Sequence, residues 1–447
     1  MDSYSKISDD TKKSLVSTKR LRYYWSRYKQ RIVLGTVLLF GLYVFYGDRL
    51  FTSSTSNSSS RRRLSKLNED DEALINFKEF GEDLYMQNSI ADHEFTSLRE
   101  KMAYHFPYNE HKPLSNHIWQ TWKVGKDDPS FPSNYHQFQS SWDAANKDYQ
   151  HDIIADSHID TFVAKTFAKV PEVVEAYNLL PKNILKADFF RYLVVFARGG
   201  TYSDIDTVCL KPISSWAPFD KQYVEPHYQN IKAKHPEFEI PRVDPDHRIT
   251  PIGLTISIEA DPDRPDWSDW YARRIQFCQW TLQGKAGHPM LRELIIRIVE
   301  ETKRKQKMGY LKKIEGKDKG GDIMQWTGPG IFTDVVFDYL NNIVSDGKLG
   351  DGFGVGSKYW KDGEKYKLKK VETNPETGEP LNSDKQVISW KTLSNLRKPL
   401  ILDDIMVLPI TSFSPGVGQM GAGDSRHPLA FVQHMFSGSW KPANERI

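Results

Sequence analysis

The spacing of apolar and polar positions changes repeatedly along the central part of the chain. HIWQTW (117–122) and RITPIGLTISIEA (248–260) have the composition and the alternation of strands. WSDWYARRIQFCQWTL (267–282) and PMLRELIIRIVEETKRK (289–305) have apolar residues at helical spacing. The alternation of these two kinds of segment predicts an α/β fold with a mostly parallel central sheet and helices on both faces.

The segment ILKADFFRYLVVFARGGTYSDIDTVCL (184–210) places charges within a nearly continuous apolar frame. Pro181 can begin a helix that runs to Arg198, because the glycine pair that follows is a favourable C-cap. Asp188 and Arg191 are three residues apart and therefore lie on one face of that helix. They form either an internal ion pair or part of a binding site, and the spacing leaves both interpretations open.

Two aspartates follow the glycine pair, in TYSDIDTVCL, a segment that predicts the end of a strand. Asp204 and Asp206 are two residues apart, so along a strand both project to the same side. Like charges in an apolar setting repel each other unless a cation lies between them. A divalent cation that bridges to a polyphosphate meets this need, and open α/β sheets bind nucleotides at the carboxyl ends of strands. The D-x-D pattern in this context therefore predicts a metal and nucleotide site.

A charge-free apolar run near the amino end, IVLGTVLLFGLYVFYG (32–47), predicts a membrane anchor. Its sixteen residues span roughly 24 Å, and flanking Arg and Tyr side chains extend this reach in a thin membrane. Residues 1–31 carry a net charge of +6, so the positive-inside rule places them in the cytosol and the later residues in the lumen, with a sequon at Asn57. A cleaved signal peptide would have a shorter basic region, and a buried core helix would not be followed by TSSTSNSSSRRR.

Composition divides the chain into four parts. The residues after the apolar run are rich in Ser, Thr and charge, although EFTSLREKMAYHF within them predicts one amphipathic helix. Later segments rich in Lys, Gly, Asp and Glu predict surface insertions at about 303–322 and 345–390. The parts are a basic tail (1–31), a transmembrane anchor (32–47), a stem (48–112) and a globular domain (113–447).

Charge, cysteine count and one glycine motif narrow the class of protein. The net charge is +3 for the whole chain but −3 beyond residue 31. The chain beyond residue 31 thus lacks the basic excess that is typical of nucleic-acid-binding proteins. Cys209 and Cys278 are too few for a disulfide scaffold; they are two buried thiols or a single bridge. GVGQMG (416–421) satisfies G-x-G-x-x-G, but AGDSRHP follows it where a dinucleotide-binding fold needs a helix. Residues 416–421 are therefore predicted to form a loop that closes over a diphosphate.

A family resemblance rests on these same residues. KADFFRYLVVFARGGTYSDIDT resembles the glycosyltransferases that carry a D-x-x-R-Y helix, a double glycine and a D-x-D motif on the GT-A nucleotide-diphospho-sugar fold. Over about residues 104–447, insertions excepted, the chain resembles Golgi alpha-1,6-mannosyltransferases of yeast. Further segments carry the resemblance: FPYNEHKPLSNHIWQTWKVG, EADPDRPDWSDWYARRIQFCQWT, MQWTGPGIF, DDIMVLPITSFSPGVGQMGA and FVQHMFSGSWK. It implies a GT-A domain in the Golgi lumen on a single-pass type II membrane protein.

The resemblance implies a role for each motif residue. Asp206 would bind Mn²⁺, with Mg²⁺ as the alternative, and the cation would bridge the diphosphate of GDP-mannose. Asp204 would contact the ribose and the metal, and His434 would complete the metal site. The other residues implied in donor binding are Asp188, Arg191, Tyr192, Trp326, Thr327 and Gly328. The Trp326 indole is equally well explained as a core aromatic.

The implied activity is transfer of mannose from GDP-mannose to a high-mannose N-glycan of a glycoprotein in α-1,6 linkage, which starts an outer mannan chain. Donor and product are both α, so the implied reaction retains configuration. The resemblance also implies that the reaction needs the divalent cation. One alternative is a paralogous α-mannosyltransferase subunit of a mannan polymerase complex, with Golgi enzymes as partners. Another is an inert luminal lectin or scaffold, against which the intact Asp188, Arg191, Asp204 and Asp206 argue.

Overall fold

A computed structural model describes residues 95, 97–234, 250–311, 322–345 and 388–437. The predicted tail, the anchor and Asn57 lie outside these residues and stay predictions, as do most of the stem and of the two charged insertions. Among the described residues, no helix has the length and apolar character needed to cross a bilayer.

The described helices begin with one in the segment EFTSLREKMAYHF of the predicted stem, so the helix predicted there is confirmed. They are α1 (Leu98–His105), α2 (Ser133–Ala145), α3 (Asp156–Thr166), α4 (Pro171–Leu179), α5 (Asn183–Arg198), α6 (Lys221–Lys234), α7 (Pro289–Lys307), α8 (Asp322–Trp326), α9 (Pro329–Ser345) and α10 (Trp390–Leu393). The first residues of the insertion predicted from 303 therefore belong to α7.

The described strands are short and form two sheets. They are β1 (His117–Trp122), β2 (Gln150–Ala155), β3 (Gly200–Ser203), β4 (Thr207–Cys209), β5 (Leu254–Ala260), β6 (Gln276–Phe277), β7 (Thr281–Gly284), β8 (Leu400–Leu402), β9 (Ile405–Leu408) and β10 (Val432–His434). The main sheet has the order β2-β1-β3-β7-β5-β9-β8, with β6 beside β5, and β4 pairs with β10 in a second sheet.

The main sheet is mixed, so the prediction of a mostly parallel sheet is wrong. Strands β1, β2, β3, β5 and β9 run in one direction, but β7 lies antiparallel between β3 and β5. Strand β8 is antiparallel to β9, and β6 is antiparallel to β5. The reversal follows from the chain turning back on itself after β5, without a crossover helix. The carboxyl ends of β1, β3, β5 and β9 consequently meet at one edge of the sheet.

The predicted helix 267–282 is also wrong. This segment holds one turn of 3-10 helix, Trp267–Asp269, followed by β6 and the start of β7. Residues 275–285 are all buried, which leaves no polar face for an amphipathic helix. Aromatic and β-branched side chains such as Phe277, Trp280 and Thr281 fit a strand that is covered on both faces.

Helix α5 is the buried support of the D-x-D segment. It begins at Asn183 rather than Pro181 and ends at the predicted Arg198, where Gly199 has φ of 68° and Gly200 has φ of 97°. A Cβ on Gly200 would lie 2.6 Å from the carbonyl oxygen of His117, so the glycine is required there by space as well as by backbone conformation. The double glycine thereby turns the chain from α5 directly into β3.

Helices cover both faces of the main sheet, as predicted. On one face α5 packs on β1, β3 and β7, and α7 lies behind it in contact with α1, α4 and α9. On the other face an apolar cluster joins the strands to α2 and α6 and includes Trp142, Trp216, Phe413 and Phe431. Cys209 and Cys278 belong to this cluster as buried free thiols, so no bridge joins them.

The last part of the predicted stem packs on the folded domain. In α1, Met102 is fully buried and the Arg99 guanidinium lies 2.7 Å from the Glu293 carboxylate of α7. The ring of Phe106, just after α1, packs at a tilt against those of Phe167 and Phe196, with ring centres 5.0 Å and 5.3 Å apart. The segment from Leu98 onward is therefore held by core contacts.

A buried polar cluster fixes the edge of the sheet opposite the D-x-D segment. The carboxylate of Asp404 accepts a hydrogen bond from Tyr108 at 2.5 Å and lies 3.2 Å from Nε2 of His288. The carbonyl oxygen of Asp404 accepts the backbone N–H groups of Gly253 and Leu254, so the same residue joins β9 to β5. Burial raises the pKa of Asp404, but His288, Tyr108 and Lys285 outweigh it and lower that pKa.

Replacing Asp404 by Asn should lower the free energy of unfolding by about 2–3 kcal/mol at pH 7, because breaking a buried charge pair typically costs about 3–5 kcal/mol and the amide keeps the Tyr108 hydrogen bond. The folded pKa of Asp404 is below its unfolded value of about 3.9, so its stabilisation is present above that value and is lost as the pH falls through the folded pKa. The difference in free energy of unfolding between the variant and the wild type should thus become smaller in acid. Denaturant unfolding at pH 7 and pH 3 checks this, with the exposed Asp148→Asn as control; an equal gap at both pH values would contradict it.

Candidate active site

The D-x-D residues lie in the turn between β3 and β4, at the carboxyl edge of the main sheet. The prediction that Asp204 and Asp206 lie along one strand and project to the same side is wrong, because β3 ends at Ser203 and β4 begins at Thr207. The hydroxyl of Thr207 donates to the carbonyl oxygen of Asp204 at 2.6 Å and closes the turn. The N–H of Asp204 donates to the carbonyl oxygen of Trp280 at 2.8 Å, which ties the turn to the β6–β7 connection.

A three-residue cluster with metal-ligand chemistry forms at this turn. Ligand atoms of Asp204, Asp206 and His434 all lie within 4.8 Å of one another. The pairing of β10 with β4 brings His434 there, opposite Thr207. Nε2 of His434 lies 3.1 Å from one oxygen of Asp206, and the N–H of Ser437 donates to the other oxygen at 2.9 Å. The structure therefore brings together the predicted metal residues.

The ring of His434 is held in a defined orientation. It stacks on Trp280 with ring centres 4.5 Å apart, and its Nδ1 is buried without a hydrogen-bond partner among the described residues. Burial by itself lowers the pKa of His434, but Asp206 and Asp204 raise it above its ordinary value. Burial raises the pKa of Asp206, but the hydrogen bond from His434 outweighs it and lowers that pKa. Two carboxylates and an imidazole whose Nε2 faces one of them form a donor set that a divalent cation fits.

Arg191 of α5 connects the helix face to the D-x-D turn. Its Nη2 lies 3.0 Å from the carboxylate of Asp188 and 3.2 Å from that of Asp204. Burial raises the pKa of Asp188 to about 6, although the charge of Arg191 opposes this rise. Burial likewise raises the pKa of Asp204 against the charge of Arg191. The ion pair anticipated between Asp188 and Arg191 thus extends to the D-x-D, and the guanidinium lies between two carboxylates.

Gln279 is a site residue that the sequence pattern did not reveal. Its Oε1 accepts hydrogen bonds from Arg191 and from the Tyr192 hydroxyl, the latter at 3.1 Å. Its Nε2 donates to Asp188 at 3.3 Å. The segment around Gln279 was predicted as a helix, and that prediction gave no reason to place its amide near Asp188 and Arg191. Polar Gln279 within a run of buried apolar residues is the same signal that marked α5, and it could have been recognised.

Gln279→Leu should lower kcat/KM about 10- to 100-fold while the protein stays folded. The substitution removes one neutral and two charged hydrogen-bond partners, each worth about 0.5–3 kcal/mol, and frees Arg191 and Asp188 to move. Because Gln279 acts through these side chains, the loss should fall mainly on kcat, and Gln279→Asn should restore little of it. Steady-state kinetics of transfer together with the unfolding midpoint check this; unchanged kcat in folded Gln279→Leu would show that the amide only fills space.

Of the segment 326–328, Thr327 contacts two residues that were predicted to bind the donor. The hydroxyl of Thr327 donates to Asp188 at 3.2 Å, and the carbonyl oxygen of Thr327 accepts from the Tyr192 hydroxyl at 2.9 Å. The N–H groups of Thr327 and Gly328 both donate to the carbonyl oxygen of Ile323 and are used within the end of α8. The Trp326 indole is 1% exposed and donates to Thr302 at 2.8 Å, as a core aromatic does.

Comparison with known proteins first defines the class. Residues 132–223, which contain α5 and the D-x-D turn, match a family model described as a glycosyltransferase sugar-binding region containing the DXD motif. The chain is 44% identical over 409 residues to the initiation-specific alpha-1,6-mannosyltransferase of Candida albicans, with coverage of 92% of this chain and 93% of that protein. The corresponding protein of Saccharomyces cerevisiae is 38% identical, with coverage of 95% and 98%. The chain belongs to the family of initiation-specific alpha-1,6-mannosyltransferases.

A second Saccharomyces cerevisiae protein is also similar. It is the putative glycosyltransferase HOC1, which is 30% identical over 347 residues, with coverage of 77% of this chain and 70% of that protein. The same yeast therefore carries two similar proteins, and the initiation-specific one is similar over more of the chain and at higher identity.

Proposed function

We propose that this chain transfers mannose from GDP-mannose to a high-mannose N-glycan in α-1,6 linkage and so starts an outer mannan chain. One observation carries this proposal. The cluster of Asp204, Asp206 and His434 lies at the carboxyl edge of the sheet, and the buried Arg191 contacts it through Asp204. Carboxylates that hold a cation beside a guanidinium provide the positive charge that a departing nucleoside diphosphate needs. Family membership supplies the mannosyl group and the α-1,6 linkage, and supports the GT-A assignment.

Mn²⁺ is the proposed cation, and Asp206, His434 and Asp204 would hold it. Carboxylate oxygens suit both Mn²⁺ and Mg²⁺, and the imidazole nitrogen favours the softer Mn²⁺. When bound, the cation supplies charge stabilisation at the diphosphate. Trp280 and Ser437 orient His434 and Asp206, as partners behind metal ligands generally do.

The chain's own residues position the donor for a reaction on one face of the sugar. Asp188 and Arg191 would bind mannosyl hydroxyls and a phosphate oxygen, in a geometry that Gln279 and Tyr192 hold in place. The bond from the sugar C1 to the β-phosphate oxygen breaks, the acceptor O6 bonds to C1 on the same face, and its proton passes to the leaving phosphate. The α configuration is thereby retained and GDP leaves as the second product.

The proposed location is the Golgi membrane, with a single span at residues 32–47 and the catalytic domain in the lumen. The proposal rests on the uncharged run and on the basic residues before it. Other Golgi mannosyltransferases are the proposed protein partners.

A secreted form made of residues 52–447 should keep the specific activity of the full chain, because every site residue lies beyond residue 117. Its kcat should agree with that of the detergent-solubilised full chain within about twofold. A membrane span that does not contact the reacting groups contributes nothing to transition-state stabilisation. Folded secreted protein with a much lower kcat would show that the first fifty residues do more than anchor the domain.

The decisive experiment is incubation of the protein with GDP-mannose and a Man8 or Man9 glycan, followed by linkage mapping of the product. A single new α-1,6 mannose supports the proposal. Extension of an existing α-1,6 chain in preference to the Man8 or Man9 glycan would favour a polymerase subunit instead. Glycan binding without GDP release would favour the lectin or scaffold, against which the intact cluster of Asp204, Asp206 and His434 argues.

A further inference from the structure

The described residues form a cavity that none of Asp204, Asp206 and His434 lines. Its volume is about 720 Å³, within the range of about 300–1,000 Å³ that small-molecule sites occupy. Its walls come from the chain that follows β5, from residues 395–397, and from the loop 416–421 that the sequence singled out as GVGQMG. In that loop Gly416, Gly418 and Gly421 have positive φ, so it is an irregular turn and not the start of a helix.

The topology of the sheet places this cavity at the same edge as the D-x-D turn. Strands β3 and β5 run in the same direction with β7 between them, which separates them by about 10 Å at a strand spacing of about 4.8 Å. The indole N–H of Trp280 donates to Glu259 near the end of β5 at 3.1 Å, while the carbonyl oxygen of Trp280 accepts the N–H of Asp204. A ligand in the cavity would therefore lie within the reach of a short oligosaccharide from the reacting sugar.

The lining of the cavity has the chemistry of a neutral sugar site. Trp270 is 62% exposed, the highest value among the exposed large apolar side chains of the described residues. An exposed indole offers a flat apolar face to the C–H face of a hexose, and Asn395 with Arg397 offers hydrogen-bond donors to its hydroxyls. Arg264 lies over the Trp270 ring at 5.2 Å and is paired with Asp266, so its charge is already balanced. Arg397 and Asp263 add one charge of each sign to the lining, so the cavity has no net charge that would favour an anionic ligand.

The walls of the cavity are held by buried hydrogen bonds. The carboxylate of Asp261, 1% exposed, accepts from the Ser394 hydroxyl at 3.0 Å and from the N–H of Asn395 at 2.7 Å. The amide of Gln419 accepts from the N–H of Asp261 at 3.0 Å and donates to the Tyr271 hydroxyl. The glycine loop is thus fixed against the chain after β5, and the cavity is formed before a ligand binds.

We propose that this cavity binds the part of the mannose oligosaccharide acceptor that does not react, with Trp270 as the stacking platform. The proposal rests on the proposed function for the class of its ligand. It assigns the discrimination between a branched high-mannose glycan and a single mannose to residues outside the metal cluster. Binding energy from this remote part of the acceptor would hold the reacting hydroxyl in place at the donor.

The test uses the full chain and its Trp270→Ala variant, with Tyr310→Ala as the matched control. Tyr310 is 40% exposed and does not line the cavity. We expect Trp270→Ala to raise the KM for a Man8 or Man9 glycan at least 10-fold, with unchanged KM for GDP-mannose and unchanged release of GDP in the absence of glycan. Trp270→Phe, which keeps a ring, should recover most of the affinity, and Tyr310→Ala should behave as wild type.

Calorimetric titration of the same glycan in the presence of GDP separates this proposal from the proposed function. Loss of glycan binding in Trp270→Ala supports the cavity even where the wild type turns over no GDP-mannose, which would refute only the activity. Equal glycan affinity in wild type and Trp270→Ala would overturn the cavity proposal while leaving the transferase intact. Wild-type protein that binds GDP-mannose but no glycan would overturn it as well.

Discussion

Asp206→Asn is expected to abolish mannosyl transfer, with kcat/KM reduced by more than about 10³-fold, since removal of a single charge-stabilising donor already costs about 10²–10³ in kcat. The amide has nearly the shape of the carboxylate and can still accept the hydrogen bond from the Ser437 N–H. It removes the negative charge that faces His434 and would hold the cation. The unfolding midpoint should stay within a few degrees of wild type.

The control for Asp206→Asn is Asp148→Asn, an exposed aspartate whose loss of charge should change neither activity nor stability. Both proteins would be stripped with EDTA and then titrated with Mn²⁺ and Mg²⁺, with cation binding measured directly by calorimetry. Wild type should regain activity with Mn²⁺, whereas the Asp206 variant should bind the cation at least about 100-fold more weakly. Near-normal turnover of Asp206→Asn in EDTA would refute the metal site.

Arg191→Lys should lower kcat/KM roughly 30- to 150-fold, equivalent to about 2–3 kcal/mol of transition-state stabilisation. Lysine keeps the charge but loses the planar fork with which one guanidinium contacts Asp188, Asp204 and Gln279 together. The KM for GDP-mannose and kcat should both worsen if the fork also grips the diphosphate. A lysine variant within twofold of wild type would assign Arg191 to structure.

The double variant Asp188→Leu with Arg191→Met separates the structural role of this pair from its functional role. Replacing a buried ion pair by apolar residues is often neutral for stability, so the double variant should fold with a melting temperature close to that of wild type. Asp204 loses its guanidinium partner there, but its side chain is 25% exposed and can be solvated. We expect a folded and nearly inactive protein; substantial activity would mean that the pair serves the core only.

The helix–glycine–aspartate segment could be predicted because local rules determine it. The C-cap at Gly199, the buried face of α5 and the closeness of Asp188 to Arg191 depend on residues within one turn of one another. His434 could be placed at the metal site only through family resemblance, because its contact with Asp206 spans 228 residues. No local pattern determines such a contact.

The errors about residues 267–282 and about the parallel sheet share one physical origin, which is burial on both faces. Residues 275–285 are covered on every side, so apolar spacing loses its period and a pair of strands resembles a helix. That error hid β7, and with it the reversal that makes the sheet mixed. It also hid the position of Gln279. A polar residue in a buried apolar run marks Gln279 as a candidate, but only the course of β6 and β7 brings its amide to Asp188.

The small sheet of β4 and β10 has a consequence for the timing of enzyme maturation. During translation the D-x-D turn emerges from the ribosome long before His434, which lies in the last described strand. Until residues 432–434 are synthesised, the nascent chain lacks the imidazole that faces the D-x-D turn. A polypeptide ended by a stop codon before Val432 would lack β10 and His434, although every described strand of the main sheet precedes that point. Assembly of the cluster of Asp204, Asp206 and His434 is therefore a late event in synthesis, because it joins Asp206 to a residue 228 positions further along the chain.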